Sequence, residues 1–158
     1  MIAAVDGVCT GGGVELAMSC DMRIASTTAQ ISDLHLTNVG HVGGAGATSR
    51  LSRIVGPSVA KEMIWTGRVL DGHEAHRVGL ANRVVAPEDL LDTALSLGRE
   101  IARRDPIGVR FGKVVANAGP DLTLEQALRY DYLAWTTQMI ETGGFAATAD
   151  FAKSRGQH

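Results

Sequence analysis

Three consecutive glycines, Gly11-Gly12-Gly13, stand between a short apolar run, Ile2 to Val5, and a stretch of helix formers, Val14-Glu15-Leu16-Ala17-Met18-Ser19-Cys20. No other segment restricts the fold as much. Glycine permits strained dihedrals and close backbone approach, so this placement predicts a short buried strand, a turn at Asp6 and Gly7, and a helix that starts at the glycines. Such a start points backbone N–H groups, aided by the helix dipole, at an anion or a developing oxyanion. A tight strand–helix crossing that admits no side chain is the competing explanation. The glycines do not fit a phosphate-cradling P-loop, which ends in Gly-Lys-Ser/Thr, because neither glycine cluster contains a lysine. They do not fit the dinucleotide fingerprint either, since the third glycine is missing at its spacing.

Beyond this segment, Met22 to Ala25 reads as the next short strand. A second cluster, Gly40-His41-Val42-Gly43-Gly44-Ala45-Gly46, leads into a helix over Ala47 to Val55 that Gly56 closes. Pro57 opens a helix to about Trp65. Asp71 to Val78 predicts a short helix ended by Gly79, and Asn82 to Val85 an extended segment. From Pro87 the signals agree on a helix: Glu88 and Asp89 in its first turn, Leu90, Leu91, Ala94, Leu95 and Ile101 on one face, Arg103 and Arg104 at its end. Pro106 starts another, to about Ala118, with Ile107, Phe111, Val114 and Val115 on its apolar face. Thr123 and Gln126 make a capping box for a helix to about Ile140, and Gly143-Gly144 separates it from a last helix, Phe145 to Ser154.

The expected fold class is therefore α/β. A glycine-rich strand and helix core over residues 1–85 precedes an all-helical region over residues 86–158. A chain of 158 residues has room for one core, so it is a single domain or a substantial piece of one.

Charge and composition exclude several functions. Fifteen basic against 17 acidic residues leave a formal net charge of −2, which gives no field for nucleic acid or an anionic membrane. Aromatics at 4% supply few platforms for stacking bases or sugars. Cys9 and Cys20 can pair only once and lack zinc spacing, so a reduced, cytoplasmic setting and no metal site are expected. No apolar run approaches the ~20 residues of a membrane span.

Glu15 lies in the first turn of the glycine-led helix, where the dipole favours a carboxylate whatever its task. Its catalytic reading is to hold or deprotonate a water beside the oxyanion site. His35, in Ser32-Asp33-Leu34-His35-Leu36, is either a packed residue or an acid/base that works near neutral pH. Asp33 either orients it or caps a turn. His41 sits in the second glycine loop, while His73 and His76 share a surface-like helix with Glu74 and Arg77, where a metal would need a third ligand.

Taken together, Ile2-Ala3-Ala4-Val5-Asp6-Gly7, Gly11-Gly12-Gly13-Val14-Glu15-Leu16-Ala17 and Cys20-Asp21-Met22-Arg23-Ile24-Ala25 resemble the crotonase (enoyl-CoA hydratase/isomerase) superfamily. The resemblance continues through Gly43-Gly44-Ala45-Gly46-Ala47-Thr48-Ser49-Arg50-Leu51, Ala60-Lys61-Glu62-Met63, Thr66-Gly67 and Val78-Gly79-Leu80-Ala81-Asn82, down to Phe151 and Arg155. It implies a spiral of ββα turns followed by helices that make trimer contacts, with homo-oligomers as trimers or dimers of trimers. It also implies an acyl-CoA thioester as substrate, no separate cofactor, and two backbone N–H groups polarising the thioester carbonyl.

By position in the motif, Gly12 would supply one of those N–H groups and Glu15 matches the first of the two glutamates with which hydratases handle water. The second glutamate falls at His35, with one extra residue between Leu36 and Gly40. A histidine there resembles the branch that hydrolyses carbon–carbon bonds of β-diketones, although that branch has an acid in the second glycine loop, where this chain has Gly44 and Ala45. Family members carry a long N-terminal segment with the start of the spiral, much of the CoA surface and the other oxyanion donor. Because the chain opens at the strand before the triple glycine, a fragment, a late start or a truncated paralogue is expected.

Three readings follow: hydration of a 2-enoyl-CoA by Gly12, Glu15 and His35; a carbon–carbon bond hydrolase with a histidine base; and a non-catalytic oligomer subunit of the same fold.

Overall fold

The computed structural model describes residues 1–144. The expected helix at Phe145 to Ser154 lies outside them. The chain divides into two compact units, Met1–Gly98 and the residues from Arg99 onward.

The first unit is built by repetition. Strand β1 (Ile2–Val5) is followed by β2 (Val8–Cys9) and helix α1 (Gly12–Ser19); β3 (Met22–Ser26) is followed by β4 (Gln30–Ile31) and α2 (His35–Val39). Each first strand lies parallel to the first strand of the next turn, with Ala4 opposite Ile24. Each second strand does the same in another sheet, with Cys9 opposite Ile31. Two ββα turns thus stack as a spiral, the architecture the resemblance implied.

Helices α3 (Ala47–Val55) and α4 (Pro57–Thr66) come next, then β5 (Leu70–Asp71), α5 (Gly72–Arg77) and β6 (Arg83–Val85). Strand β6 joins the first sheet beside β3 in the order β1-β3-β6, and β5 runs antiparallel to β4 in the second. The core gathers Val14 and Met18 of α1, Ile31 of β4, Leu51 of α3, Met63 of α4, Leu70 and Leu80, each almost fully buried. Burying side chains of this size contributes about 1.5–3 kcal/mol apiece.

Arg23 ties β3 to the end of α1 and to the segment that follows α5. Its Nε donates to Leu80 O at 2.6 Å and its Nη1 to Cys20 O at 2.9 Å, while Asn82 Oδ1 accepts from its backbone N–H at 2.8 Å. Burial pulls the pKa of this guanidinium below its ordinary value, and the carbonyls it meets replace part of its lost water.

Helix α6 (Leu90–Ala102) starts after a tighter 3₁₀ turn, Pro87–Asp89, so the helix expected from Pro87 begins one turn late. Of its expected apolar face only Leu90 is buried; Leu91 and Leu95 are exposed.

The second unit contains α7 (Pro106–Ala118) and α8 (Leu124–Thr142), joined by a 3₁₀ turn at Gly119–Asp121. Asp105 caps α7 by accepting from the N–H groups of Ile107 and Gly108, and also takes Gln138 Nε2 of α8 at 3.2 Å. The Thr123–Gln126 capping box is formed as its spacing predicts. Neither helix has a buried residue, and Val114 of the expected apolar face is exposed. No helix among the described residues is long and apolar enough to cross a membrane.

Candidate active site

Helix α1 begins where only glycine fits. Gly11, its N-cap, has φ 55° and ψ −127°, a conformation that a β-carbon disfavours strongly. The chain can therefore turn sharply from β2 into the helix. The N–H of Gly12, first in the helix, meets no acceptor among the described residues, and no atom lies within 4 Å of the place its β-carbon would occupy. It is an available donor at the positive end of the helix.

One turn further on, Glu15 lies on the same side of α1 and is only 8% exposed. Its Oε1 accepts from the backbone N–H of Ala45 at 2.7 Å and of Ala47 at 3.3 Å. These donors stand at the end of the second glycine loop and the start of α3. The charge of Glu15 is thus held by backbone dipoles, and its Oε2 remains for other work.

His35 is the first residue of α2, which β4 delivers to the same place. Its Nε2 faces Glu15 Oε2 at 4.0 Å, and its Nδ1 lies 2.7 Å from Asp33 Oδ1. The His35 side chain is 16% exposed and that of Asp33 is 1% exposed. Asp33 Oδ1 also accepts the His35 backbone N–H at 3.1 Å.

Gly43 closes the arrangement from the loop. A β-carbon there would sit 2.7 Å from Glu15 Oε1 and 2.9 Å from the His35 ring. Those separations are shorter than side chains tolerate, so the loop backbone covers the pair only because this residue has no side chain.

The expected site residues therefore fall together: Gly12 and Glu15 on one helix, His35 across from Glu15. The structure adds the backbone donors of Ala45 and Ala47, which carry no residue signature in a sequence, and Gly43, which the sequence shows only as one glycine of a cluster. Asp33 makes the contacts of both its sequence readings, since Oδ1 lies within hydrogen-bond distance of the His35 ring and also accepts the His35 backbone N–H, two residues on, as a turn-capping aspartate does.

Other candidates lie elsewhere. His41 is exposed, with Nδ1 3.1 Å from Val42 O, and His76 Nδ1 is 3.0 Å from Ala81 O. Among the described residues, no three His, Cys, Asp or Glu side chains converge as a metal site would require. Cys9 and Cys20 are both free thiols.

Residues 1–143 match the family model for enoyl-CoA hydratase/isomerase. The chain is 40% identical over 131 residues to the short-chain-enoyl-CoA hydratase of Clostridium acetobutylicum, covering 83% of this chain and 50% of that one. It is 37% identical over 158 residues to the human mitochondrial enoyl-CoA hydratase domain-containing protein 2, covering 98% and 54% respectively. Among solved structures, an enoyl-CoA hydratase from Bacillus anthracis superposes with a TM-score of 0.88 at 34% identity, over 98% of this chain and 59% of that one. The chain spans about half the length of the curated relatives it matches. With the ββα spiral, the glycine-led helix and this family match in agreement, the chain belongs to the enoyl-CoA hydratase/isomerase family.

Proposed function

We propose that this chain carries the oxyanion donor and the water-handling groups for adding water across the double bond of a 2-enoyl-CoA. The observation that carries the reading is the separation of 4.0 Å between Glu15 Oε2 and His35 Nε2, one helical turn beyond the free N–H of Gly12. That gap is too long for a direct hydrogen bond and suits one water bridging both groups.

The thioester conjugates the double bond to a carbonyl, so the β-carbon is electrophilic. The oxygen of the held water bonds to that carbon, and the π pair moves through the α-carbon to the thioester oxygen. Gly12 N–H stabilises the resulting enolate, a developing charge of the kind preorganised backbone donors favour most. The proton released by the water passes to the Glu15–His35 pair and returns from it to the α-carbon, so one molecule of water is added and nothing is left over. Coenzyme A enters as part of the substrate. The names of the relatives support hydration over the other chemistries of the fold.

Self-association belongs to the same proposal. Helices α7 and α8 bury no residue within the chain, while Leu124, Leu128, Tyr132 and Leu133 of α8 stand exposed. A homo-oligomer, a trimer or a dimer of trimers, would cover them.

The deciding experiment incubates the purified full chain, in the assembly it forms, with crotonyl-CoA in ¹⁸O-labelled water. Loss of the enoyl thioester absorbance, with one labelled oxygen in a 3-hydroxyacyl product, is expected. Cleavage of a β-diketone without hydration would replace the reading by carbon–carbon bond hydrolysis. Neither activity in a well-folded assembly would leave the non-catalytic subunit.

A further inference from the structure

Asp33 is the most deeply buried acid of the site, and its hydrogen bonds go to a single residue. Oδ1 accepts the backbone N–H of His35 at 3.1 Å and lies 2.7 Å from its Nδ1. Oδ2 is buried and meets no hydrogen-bond partner among the described residues. A carboxylate can only accept, so the shared proton of the 2.7 Å contact belongs to Nδ1. The lone pair of a neutral imidazole is then on Nε2, the nitrogen that faces Glu15.

Glu15 presents a matching acceptor. Its Oε1 is occupied by the N–H groups of Ala45 and Ala47, which leaves Oε2 toward His35. The charged groups that contact the imidazole are thus Asp33 on one side and Glu15 on the other, and the backbone of Gly43 covers both His35 and Glu15. A water between Nε2 and Oε2 would donate one O–H to each, with its own lone pairs turned away from both and toward an electrophile. The opposite tautomer, with the proton on Nε2, would turn the water around and spend a lone pair on the histidine.

We propose that Asp33 is a positioning residue: it locks His35 as the Nδ1–H tautomer, so that His35 Nε2 and Glu15 Oε2 form a pair of acceptors for one water. The use of that water in hydration rests on the function proposed above; the tautomer does not. Asp33 touches no reacting atom and acts through His35 alone.

The test reads the ring directly. In the full chain labelled with ¹⁵N-histidine, nitrogen shifts are recorded at pH 8 through the carbon-bound ring protons, and His35 is assigned by the signal lost in His35→Gln. The wild type should show a protonated Nδ1 and an unprotonated Nε2. Asp33→Asn can donate its amide N–H to Nδ1 and should move the proton to Nε2. On crotonyl-CoA the same variant should lose kcat by about 10²–10⁴-fold with little change in KM, because a base in the wrong tautomer cannot take the proton.

A wild-type ring with the proton on Nε2, or on both nitrogens, overturns the proposal even if Asp33→Asn does not fold. So does a folded Asp33→Asn with an unchanged tautomer. The expected tautomer in the wild type and its switch in the variant uphold the lock even where no hydration is detected, an outcome that removes only the hydration reading.

Discussion

The backbone N–H of Ala45 donates to Glu15 Oε1 at 2.7 Å, so the loop that follows α2 is fastened to the carboxylate of α1. Glu15 therefore has two tasks that are separable by atom. One oxygen holds the start of α3, and the other faces His35.

Glu15→Gln keeps a carbonyl oxygen for Ala45 and Ala47 but removes the charge. Hydration by the assembled protein should fall by about 10²–10⁴-fold with the melting temperature nearly unchanged. Glu15→Ala should show the same loss together with about 1–3 kcal/mol of instability for each N–H left buried without an acceptor. Turnover and thermal melts on both variants check this. Unchanged turnover in Glu15→Gln would confine Glu15 to fastening the loop.

Two adjacent glycines offer a sharper comparison. A β-carbon on Gly43 would press on Glu15 Oε1 and the His35 ring, whereas one on Gly44 would have nothing within 4 Å, and neither residue has a left-handed φ. Gly43→Ala should therefore lower turnover at least ~10-fold by displacing the pair, at a strain of about 1–3 kcal/mol. Gly44→Ala should leave both activity and stability close to wild type. Equal effects of the two substitutions would mean that Gly43 does not cover the pair as its contacts indicate.

The elements that were legible in the sequence are those with chemical punctuation. Ala47–Val55 lies between Gly46 and Gly56, α4 and α7 open with proline, and α8 carries its capping box. Strands β2, β4 and β5 were not legible, because two residues are too few to show an alternation. Nor was α2, whose N-cap is Leu34 and whose five residues are too few to show a periodicity. His35 is the first residue of that helix. The sequence therefore singled out Glu15 and His35 as residues without supplying the return through β3 and β4 that sets them 4.0 Å apart. The apolar face expected for α6 is covered only in part, with Leu91 and Leu95 exposed, since periodicity reports a face and not what covers it.

Thiol chemistry should separate the two cysteines. Burial pushes the Cys9 thiol above its ordinary pKa, and Cys9 lies in the core, while Cys20 is half-buried at the end of α1. The thiolate is the reactive form, so a raised pKa together with poor access slows alkylation. Iodoacetamide at pH 8 should label Cys20 first and reach Cys9 only once the fold is opened by denaturant. Peptide mass mapping over time reads the order, and prompt labelling of Cys9 in the native protein would show that the β2–α1 corner opens readily.

The last expectation concerns α8, where Leu124, Leu128 and Tyr132 follow one another at helical spacing and Trp135 continues the stripe, its ring centroid 5.9 Å from that of Tyr132. Leu124 is 75% exposed and Leu128 57%. Covering a leucine fully is favourable by about 1.5–3 kcal/mol, so two or three such residues per copy can offset much of the entropy lost on association. Self-association at micromolar concentration is expected in sedimentation velocity, and Leu128→Glu should shift the distribution toward monomer, because a carboxylate without a partner resists burial. The substitution should not disturb the folded chain itself, since the residue it replaces stands mostly in solvent. Circular dichroism on the same samples separates lost association from lost structure. A wild-type protein that sediments as a stable, well-folded monomer at micromolar concentration would remove the assembly, and with it the expectation that α8 is covered by a second copy.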